Sequence, residues 1–221
     1  MSPGLVISTV NLKGGTAKTT STAFLAHAFA EAGLSVLIID ADPQGSLQRW
    51  SDSAHRAEDG QAGPRWTIPV VGMPVRTLHA QLPGIVGDHQ VVLIDTPPLE
   101  EQRGVVMSAL RAASHVVVPV APTPVEVERL DAVRQTIVDA ADLRPDGRSP
   151  VAAVLLTRTV PQAASTAAWR AAMVSTGWHV LGAEVGRLER FAQAYGDPIV
   201  RACDTAYGYA VTELLDMEVP A

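Results

Sequence analysis

Two short and almost wholly apolar runs, each ending in aspartate, constrain the fold of this chain most strongly. Residues 34–40 read LSVLIID and residues 90–95 read QVVLID. Apolar runs of this length, without polar residues at alternate positions, are typical of strands whose two faces are both buried. Such strands occur in parallel sheets that carry helices on both faces. The sequence therefore predicts an α/β fold of that kind.

The rest of the chain alternates strand-like and helix-like segments, as this fold requires. The other predicted strands are residues 5–10, 66–72, 115–120, 151–157 and 178–185. The predicted helices are residues 17–32, 44–57, 101–113, 125–141, 163–176, 187–195 and 201–217. The most linker-like stretches, 57–64 (AEDGQAGP) and 144–150 (RPDGRSP), are short enough to be surface loops. We therefore expect residues 1–221 to form a single domain.

Composition excludes several classes of protein. With 47% hydrophobic and 18% charged residues, the chain has the composition of a folded globular protein. Its single cysteine, Cys203, cannot form an internal disulfide or hold an iron–sulfur cluster alone. The net charge of −6 does not favour a strongly basic nucleic-acid binder, although a local basic patch stays possible. Since neither a signal-peptide pattern nor an apolar run near the ~20 residues of a membrane helix is visible, we expect a cytoplasmic protein.

The distribution of lysine points to one loop. Only two of the 17 basic residues are lysines, Lys13 and Lys18, and both lie in a glycine-containing segment. Lysine is a compact point charge on a slim stem, whereas arginine is a broad planar fork, so a narrow phosphate pocket would discriminate between them. Chance within an arginine-rich composition is the alternative explanation.

That segment, KGGTAKTT, lies between a predicted strand and a predicted helix, which is the context of a phosphate-binding loop. Loop amides and the helix N-terminus would face the phosphate oxygens, Lys18 would add a full charge, and the Thr19 hydroxyl is a ligand suited to magnesium. The common pattern G-x-x-x-x-G-K-[ST] fails at Leu12 and Ala17. The loop instead matches the variant K-G-G-x-x-K-T-[ST]. A tight strand–helix turn without ligand is the alternative.

Two acidic motifs follow buried strands. Asp40 and Asp42 belong to DADPQG, and Asp95 belongs to VVLIDTPP. Carboxylates at the carboxyl ends of parallel strands face the ligand crevice of such sheets. Asp42 could position an attacking water or act on magnesium through a water, Asp40 could support the loop or the metal, and Asp95 could hold magnesium through its water shell. For each aspartate the alternative is a cap of the following helix.

Together the motifs KGGTAKTT, DADPQGS and VVLIDTPP resemble the deviant-Walker P-loop ATPases of the ParA/MinD family, and most of all the small ParA-type partition ATPases. Residues 116–124 (VVVPVAPTP) and 155–159 (LLTRT) also resemble that family. The resemblance covers about residues 5 to 200, and its first motif is highly specific. Ala17 departs from it, because many members have glycine there. We expect Ala17 to begin the helix, where φ is negative and a methyl group is tolerated.

The resemblance implies an ATPase that requires Mg²⁺ and whose two subunits close face to face around two ATP molecules. Lys13 would be the signature lysine that reaches the partner's nucleotide, and Lys18 would contact the β- and γ-phosphates. The implied catalytic residues are Lys13, Lys18 and Asp42, and the implied metal-site residues are Thr19, Asp42 and Asp95. The implied nucleotide-binding residues are Lys13, Gly14, Gly15, Thr16, Ala17, Lys18, Thr19, Thr20, Thr157 and Arg158.

The resemblance also implies partners. The ATP-bound homodimer would bind DNA without sequence preference on the nucleoid, and a ParB-type partner would stimulate slow hydrolysis. The candidate DNA-binding residues are Arg158, Arg170, Arg187, Arg190 and Arg201. Local pairing with acids such as Glu184 and Glu189 is the alternative for each arginine. The final segment, 212–221, is acidic, whereas MinD-like members bind membranes through a basic amphipathic helix, so we expect no membrane partner.

Two further functions stay open. A metabolic ligase of the dethiobiotin-synthetase type shares the fold and would need a pocket for a small carboxylic acid. A nucleotide-dependent scaffold that positions a cargo other than plasmid or chromosome would use the same loop.

Overall fold

The structure is a computed structural model, and it describes residues 4–55 and 65–218. The strands are β1 (Leu5–Thr9), β2 (Val36–Asp40), β3 (Val70–Gly72), β4 (Val91–Asp95), β5 (His115–Val120), β6 (Val151–Thr159) and β7 (His179–Gly186). The helices are α1 (Lys18–Glu31), α2 (Ser46–His55), α3 (Leu78–Gln81), α4 (Leu99–Ala112), α5 (Pro124–Glu128), α6 (Leu130–Asp142), α7 (Ala164–Ser175), α8 (Glu189–Ala192) and α9 (Ala206–Asp216). Single 3₁₀ turns follow at Leu82–Gly84 and Ala202–Asp204.

The strands form one parallel sheet in the order β3-β2-β4-β1-β5-β6-β7. Successive residues of each central strand contribute to opposite faces: in β4, Leu93 packs with α1, α2 and α9, whereas Val92 and Ile94 pack with α3 and α4. A further cluster joins α4, α6 and α7 to β5 and β6. The predicted fold class, a parallel sheet with helices on both faces, is confirmed.

Several predicted boundaries are wrong. The helix predicted over 125–141 is two helices, because Pro124 begins the short α5 and a second helix starts at Leu130. The helices predicted over 187–195 and 201–217 are shorter in the structure: α8 spans Glu189–Ala192 and α9 spans Ala206–Asp216. The strand predicted over 66–72 is only β3, since Pro69, which has no N–H to donate, directly precedes it. The predicted loop 57–64 lies outside the described residues.

The register of the central strands brings their carboxyl ends together. Thr9 of β1 and Asp40 of β2 both pair with Asp95 of β4. The loop after β1, the DADPQG segment after β2 and the prolines after β4 therefore meet at one edge of the sheet, where ligands of open parallel sheets bind. Within the described ranges, no helix combines the length and the apolar character needed to span a bilayer.

Candidate functional site

The loop between β1 and α1 has backbone N–H groups without carbonyl partners among the described residues. In the described part of the chain, the N–H groups of residues 13–17 donate to no carbonyl. Gly15 and Ala17 have φ values of 71° and 69°, and α1 begins at Lys18. The expectation that Ala17 begins the helix with negative φ is therefore wrong: it precedes the helix in the left-handed conformation. A loop with unpaired amides at a helix N-terminus is a concave site for an anion.

The two lysines of this loop have different environments. Lys18 is only 6% exposed, and its Nζ donates to the carbonyl oxygen of Lys13 at 3.0 Å. Burial lowers the pKa of Lys18, while the nearby carboxylates of Asp95 and Asp42 act in the opposite direction. Lys13 has a side chain that is 46% exposed and forms an ion pair with Glu100 at the start of α4. One lysine thus points into the site and the other lies at its rim.

A buried carboxylate faces the first turn of α1. The Thr19 hydroxyl donates to Oδ2 of Asp95 at 2.7 Å, and the Thr22 hydroxyl lies 3.4 Å from Oδ1. Asp95 is completely buried, and this burial raises its pKa to about 7 despite the Thr19 hydrogen bond. A hydroxyl beside a buried carboxylate is a hard oxygen donor set, the kind that magnesium prefers. The arrangement therefore fits a magnesium ion coordinated near Thr19.

The two aspartates of the DADPQG segment have separate roles. Asp40 is buried, and its carboxylate accepts hydrogen bonds from the backbone N–H groups of Asp42, Leu47 and Gln48. Burial raises the pKa of Asp40, and these hydrogen bonds oppose the rise. The alternative role for Asp40, capping the following helix, is the one that the structure shows. The carboxylate of Asp42 accepts, among the described residues, only the N–H of Gln44, and Asp42 lines the cavity in front of the loop.

Two adjoining cavities lie at this edge. The first has a volume of about 430 Å³ and is lined by Gly14, Gly15, Ala17, Lys18, Thr19, Thr20, Asp42, Gln44, Ser46 and Pro98. The second has a volume of about 200 Å³ and is lined by Ala17, Thr20, Thr157, Arg158, Val185, Gly186, Arg187, Leu188, Phe191, Ala192 and Tyr207. They share Ala17 and Thr20. A cavity of mixed polar and apolar surface that adjoins a smaller, largely apolar one has the two environments that a nucleotide needs, for its phosphates and for its base.

Arg158 connects the loop to the neighbouring strand. It has a left-handed φ of 55°, and its guanidinium donates to the carbonyl oxygen of Gly15 at 3.1 Å and to Glu126 at 2.5 Å. Glu126 also accepts the backbone N–H of Ala121 at 2.8 Å, so this carboxylate is fixed at the end of β5. Arg158 therefore holds one wall of the loop. A third cavity of about 500 Å³ lies on its other side, lined by Glu126, Arg158, Ser165, Thr166, Arg187 and neighbours.

The other candidate DNA-binding arginines do not share one set of contacts. Arg170 pairs with Glu184 at 2.8 Å and donates to the carbonyl of Leu181, and Arg201 pairs with Asp204 at 2.6 Å. Arg190 lies over the ring of Phe191, and the exposed Arg187 lines the second and third cavities. Arg187 and Arg190 form no ion pair within the described ranges, so they are the two candidates whose charge is least compensated locally.

Sequence reasoning missed Glu100, Glu126 and the apolar wall formed by Leu188, Phe191 and Tyr207. Glu126 and Arg158 are 32 positions apart, and no motif marks the pair. One signal was available: Glu126 follows the carboxyl end of β5, Arg158 lies near the carboxyl end of β6, and such strand ends border the ligand crevice.

Comparison with known proteins places this site in a family. The model of the CobQ/CobB/MinD/ParA nucleotide-binding domain matches residues 7–199. The maintenance of carboxysome distribution protein A of Halothiobacillus neapolitanus is 30% identical over 185 residues, which cover 82% of this chain and 79% of the relative. The ATP complex of a Cyanothece McdA variant superimposes with a TM-score of 0.75 at 18% identity over 100% of both chains. A cobyrinic acid a,c-diamide synthase from Mycobacterium smegmatis, with an ATP analogue and magnesium, gives 0.73 at 22% identity over 98% of both chains. These matches confirm the resemblance that the three motifs predict.

Proposed function

This chain belongs to the CobQ/CobB/MinD/ParA nucleotide-binding family and is an ATPase, and we propose that it uses ATP with magnesium and is a ParA-type positioning ATPase. Two ATP-bound chains close face to face, bind DNA of the nucleoid without sequence preference, and separate when a ParB-type partner stimulates hydrolysis. The cargo is a plasmid, a chromosome region or another large assembly. The name of the Halothiobacillus relative, which concerns carboxysome distribution, favours the last.

The contrast between the two lysines carries this proposal. Lys18 is buried within its own site, whereas the ammonium of Lys13 lies at the rim, where a second chain can approach. Phosphoryl transfer depends mainly on positioning and on neutralising charge. A lysine that neutralises phosphate only in a second chain makes hydrolysis depend on dimer formation, which is the property that a positioning cycle requires.

The remaining residues fit an ATP·Mg complex in the same site. Lys18 and the loop amides would hold the β- and γ-phosphates, and Thr19 with Asp95 and Asp42 would hold the magnesium ion. Asp42, the less constrained of the two DADPQG aspartates, would orient the attacking water. Thr157 and Arg158 would border the base, which fits the apolar second cavity. The ion, when bound, neutralises phosphate charge; the chain's own groups orient the triphosphate and exclude bulk water.

Substitution of the two lysines tests the dimer mechanism. We expect Lys13→Ala to retain ATP binding while losing ATP-dependent dimerisation or hydrolysis, and Lys18→Ala to lose ATP binding as well. Binding would be measured with a fluorescent ATP analogue, and dimerisation by sedimentation with a non-hydrolysable analogue. Normal dimerisation and hydrolysis by the Lys13→Ala variant would refute the trans role of Lys13.

DNA binding is tested separately. We expect the ATP-bound protein to bind duplex DNA of arbitrary sequence with an affinity that falls steeply with salt, because arginines that neutralise phosphates displace counterions. Arg190→Ala and Arg187→Ala should weaken binding, and Arg170→Ala, whose guanidinium is paired with Glu184, serves as the control. Absence of DNA binding in every nucleotide state at low salt would refute this part of the proposal and favour a non-DNA scaffold.

An ATP-dependent ligase of the dethiobiotin-synthetase type is the second candidate, and one observation favours it. The third cavity, about 500 Å³ in volume, is lined by Arg158, Arg187 and Ser165, and also by Glu126, which already pairs with Arg158. The two guanidinium groups and the hydroxyl suit a small carboxylic acid. ATP hydrolysis that depends on added carboxylic acid rather than on DNA would support this candidate.

A further inference from the structure

We propose that Glu100 is a positioning residue of the ATPase, which holds the ammonium of Lys13 within its own chain and must release it before two ATP-bound chains can close. This inference rests on the proposed function, because it concerns the contact that Lys13 makes with a second chain. Glu100, which lies outside the three motifs, would then determine how readily Lys13 contacts the second chain.

The first observation is the ion pair itself. Lys13 Nζ contacts Oε2 of Glu100, and the two side chains are 46% and 42% exposed. Because neither group is buried, the ammonium can leave Glu100 without crossing an apolar barrier. While the pair is formed, however, the charge that a second chain's phosphate would need is already compensated.

The second observation is that the backbone holds Glu100 beside the loop. The N–H of Leu99 donates to the carbonyl of Asn11, and the N–H of Glu100 donates to the carbonyl of Leu12, both at 3.2 Å. The side chain of Asn11 is in turn bound to the carbonyl of Pro119 at 2.7 Å. Most exposed ion pairs contribute little to stability, because two flexible side chains must be ordered to form them. Here the main-chain hydrogen bonds keep the two backbone segments adjacent, so the ion pair requires the ordering of the two side chains alone.

The third observation is a break in α4 directly after this turn. Gln102 has φ −135° and ψ 51°, which are not helical values. The segment Leu99–Glu101 is therefore attached to the phosphate loop through hydrogen bonds, while the regular part of α4 begins beyond Gln102. Glu100 remains within reach of Lys13 if the loop adjusts to a ligand.

The negative charge of each possible partner determines which group the Lys13 ammonium binds. A single carboxylate is a weaker attractor for an ammonium than the terminal phosphate of a triphosphate with its clustered negative oxygens. Without a second ATP-bound chain, Lys13 stays on Glu100; when such a chain arrives, its phosphate takes the ammonium. Glu100 thus discourages closure without ATP. If Glu100 instead aligned Lys13 for the partner, removing it would have the opposite effect.

The test measures the dimer dissociation constant with a non-hydrolysable ATP analogue by analytical ultracentrifugation at low salt. For E100Q we expect a dissociation constant about two- to tenfold lower than that of the wild type, since two exposed ion pairs no longer compete in each dimer. The difference should shrink at high ionic strength. The control is E101Q, measured at saturating analogue, which removes the same charge from the adjacent exposed residue; Glu101 forms no ion pair within the described residues, although its charge opposes the burial that lowers the pKa of Lys18.

A double variant separates positioning from a general change in charge. In a Lys13→Gln background, which we expect to dimerise weakly or not at all, E100Q should not increase dimerisation, because no ammonium remains to be released; an increase equal to that in the wild-type background would show a general effect of charge and overturn the role of Glu100. If the wild type forms no ATP-dependent dimer, both this inference and the proposed function are wrong. If it dimerises, but E100Q weakens or does not change dimerisation, or E101Q has an equal effect, the role of Glu100 is overturned while the proposed function stands.

Discussion

The hydroxyl of Thr19 lies 2.7 Å from Oδ2 of Asp95, although 76 positions separate these residues in the chain. The contact joins the first turn of α1 to the end of β4. It places an aliphatic hydroxyl, which prefers a hard cation, next to a carboxylate that has no exposure to solvent. This geometry supports the proposed role of both residues in a magnesium site.

Replacing Asp95 with asparagine should therefore impair magnesium use more than folding. We expect Asp95→Asn to lower the magnesium-dependent ATPase rate by about 10–100-fold, the usual effect of removing a group that orients a metal's ligands. The free energy of unfolding should not fall at pH 8, because a buried carboxylate that is costly to ionise is lost. ATPase assays across a magnesium series would measure the first effect and urea unfolding the second. Asp88→Asn, on the exposed surface, is the control, and equal rates in both variants would contradict the assignment.

The raised pKa of Asp95 predicts proton release on binding. With a pKa of about 7 in the fold and 3.8 as the ordinary value, folded Asp95 keeps a proton that the unfolded chain has lost between about pH 4 and pH 7. Asp95 therefore lowers the free energy of unfolding as the pH rises through that window. A bound magnesium ion favours the carboxylate, so ATP·Mg binding should release about one proton per chain near pH 6 and few near pH 8.5.

Calorimetric titration in buffers of different ionisation enthalpy measures this release. The Asp95→Asn variant provides the baseline, since any proton that it releases comes from ATP or from other groups. A wild-type release that equals this baseline near pH 6 would show that Asp95 is already ionised in the empty site.

Asp40 and Asp42 offer a matched pair of substitutions. Asp40→Asn should lower the free energy of unfolding by about 1–3 kcal/mol, because an amide presents one acceptor oxygen where the carboxylate accepts three backbone N–H groups. Asp42→Asn should leave stability within about 0.5 kcal/mol but reduce ATP turnover. Chemical unfolding and steady-state ATPase assays distinguish the two. The division of roles fails if Asp42→Asn is the more destabilising change.

The sequence predicted the sheet well because its central strands are buried on both faces. In β2 and β4 that burial demands apolar residues at every position up to the terminal aspartates. The same constraint placed Asp40 and Asp95 at the edge where the site lies, since aspartate ends the apolar run in each strand. The same sequence pattern therefore predicts both the ends of these strands and the positions of the two aspartates.

The features that were missed depend on contacts between distant residues. The pairing of Arg158 with Glu126 requires β5 and β6 to be adjacent, and nothing in either local sequence reveals it. The pairing of Lys13 with Glu100 similarly requires the loop after β1 to lie against the residues after β4. Helix boundaries were wrong where a continuous polar–apolar pattern runs across the end of one helix and the start of the next, as between α5 and α6 around Arg129.

Ala17 was mispredicted for a related reason: its φ of 69° is set by closure of the whole loop and not by its own preference. A left-handed conformation costs a residue with a Cβ about 1–2 kcal/mol, and glycine does not pay this strain. We expect Ala17→Gly to raise the free energy of unfolding by about 0.5–1 kcal/mol, since the greater freedom of unfolded glycine offsets part of the gain. ATP binding should be retained, because the amide of residue 17 remains in place.

Ala163 is the matched control, because it also precedes a helix but has a φ of −70°. Ala163→Gly should leave stability unchanged or lower it, since no strain is relieved there and the unfolded chain gains freedom. Urea unfolding of both variants without nucleotide measures the difference. If Ala17→Gly is no more stable than Ala163→Gly, the loop carries no strain at Ala17, and the alanine would then be a neutral replacement for the glycine that many family members have.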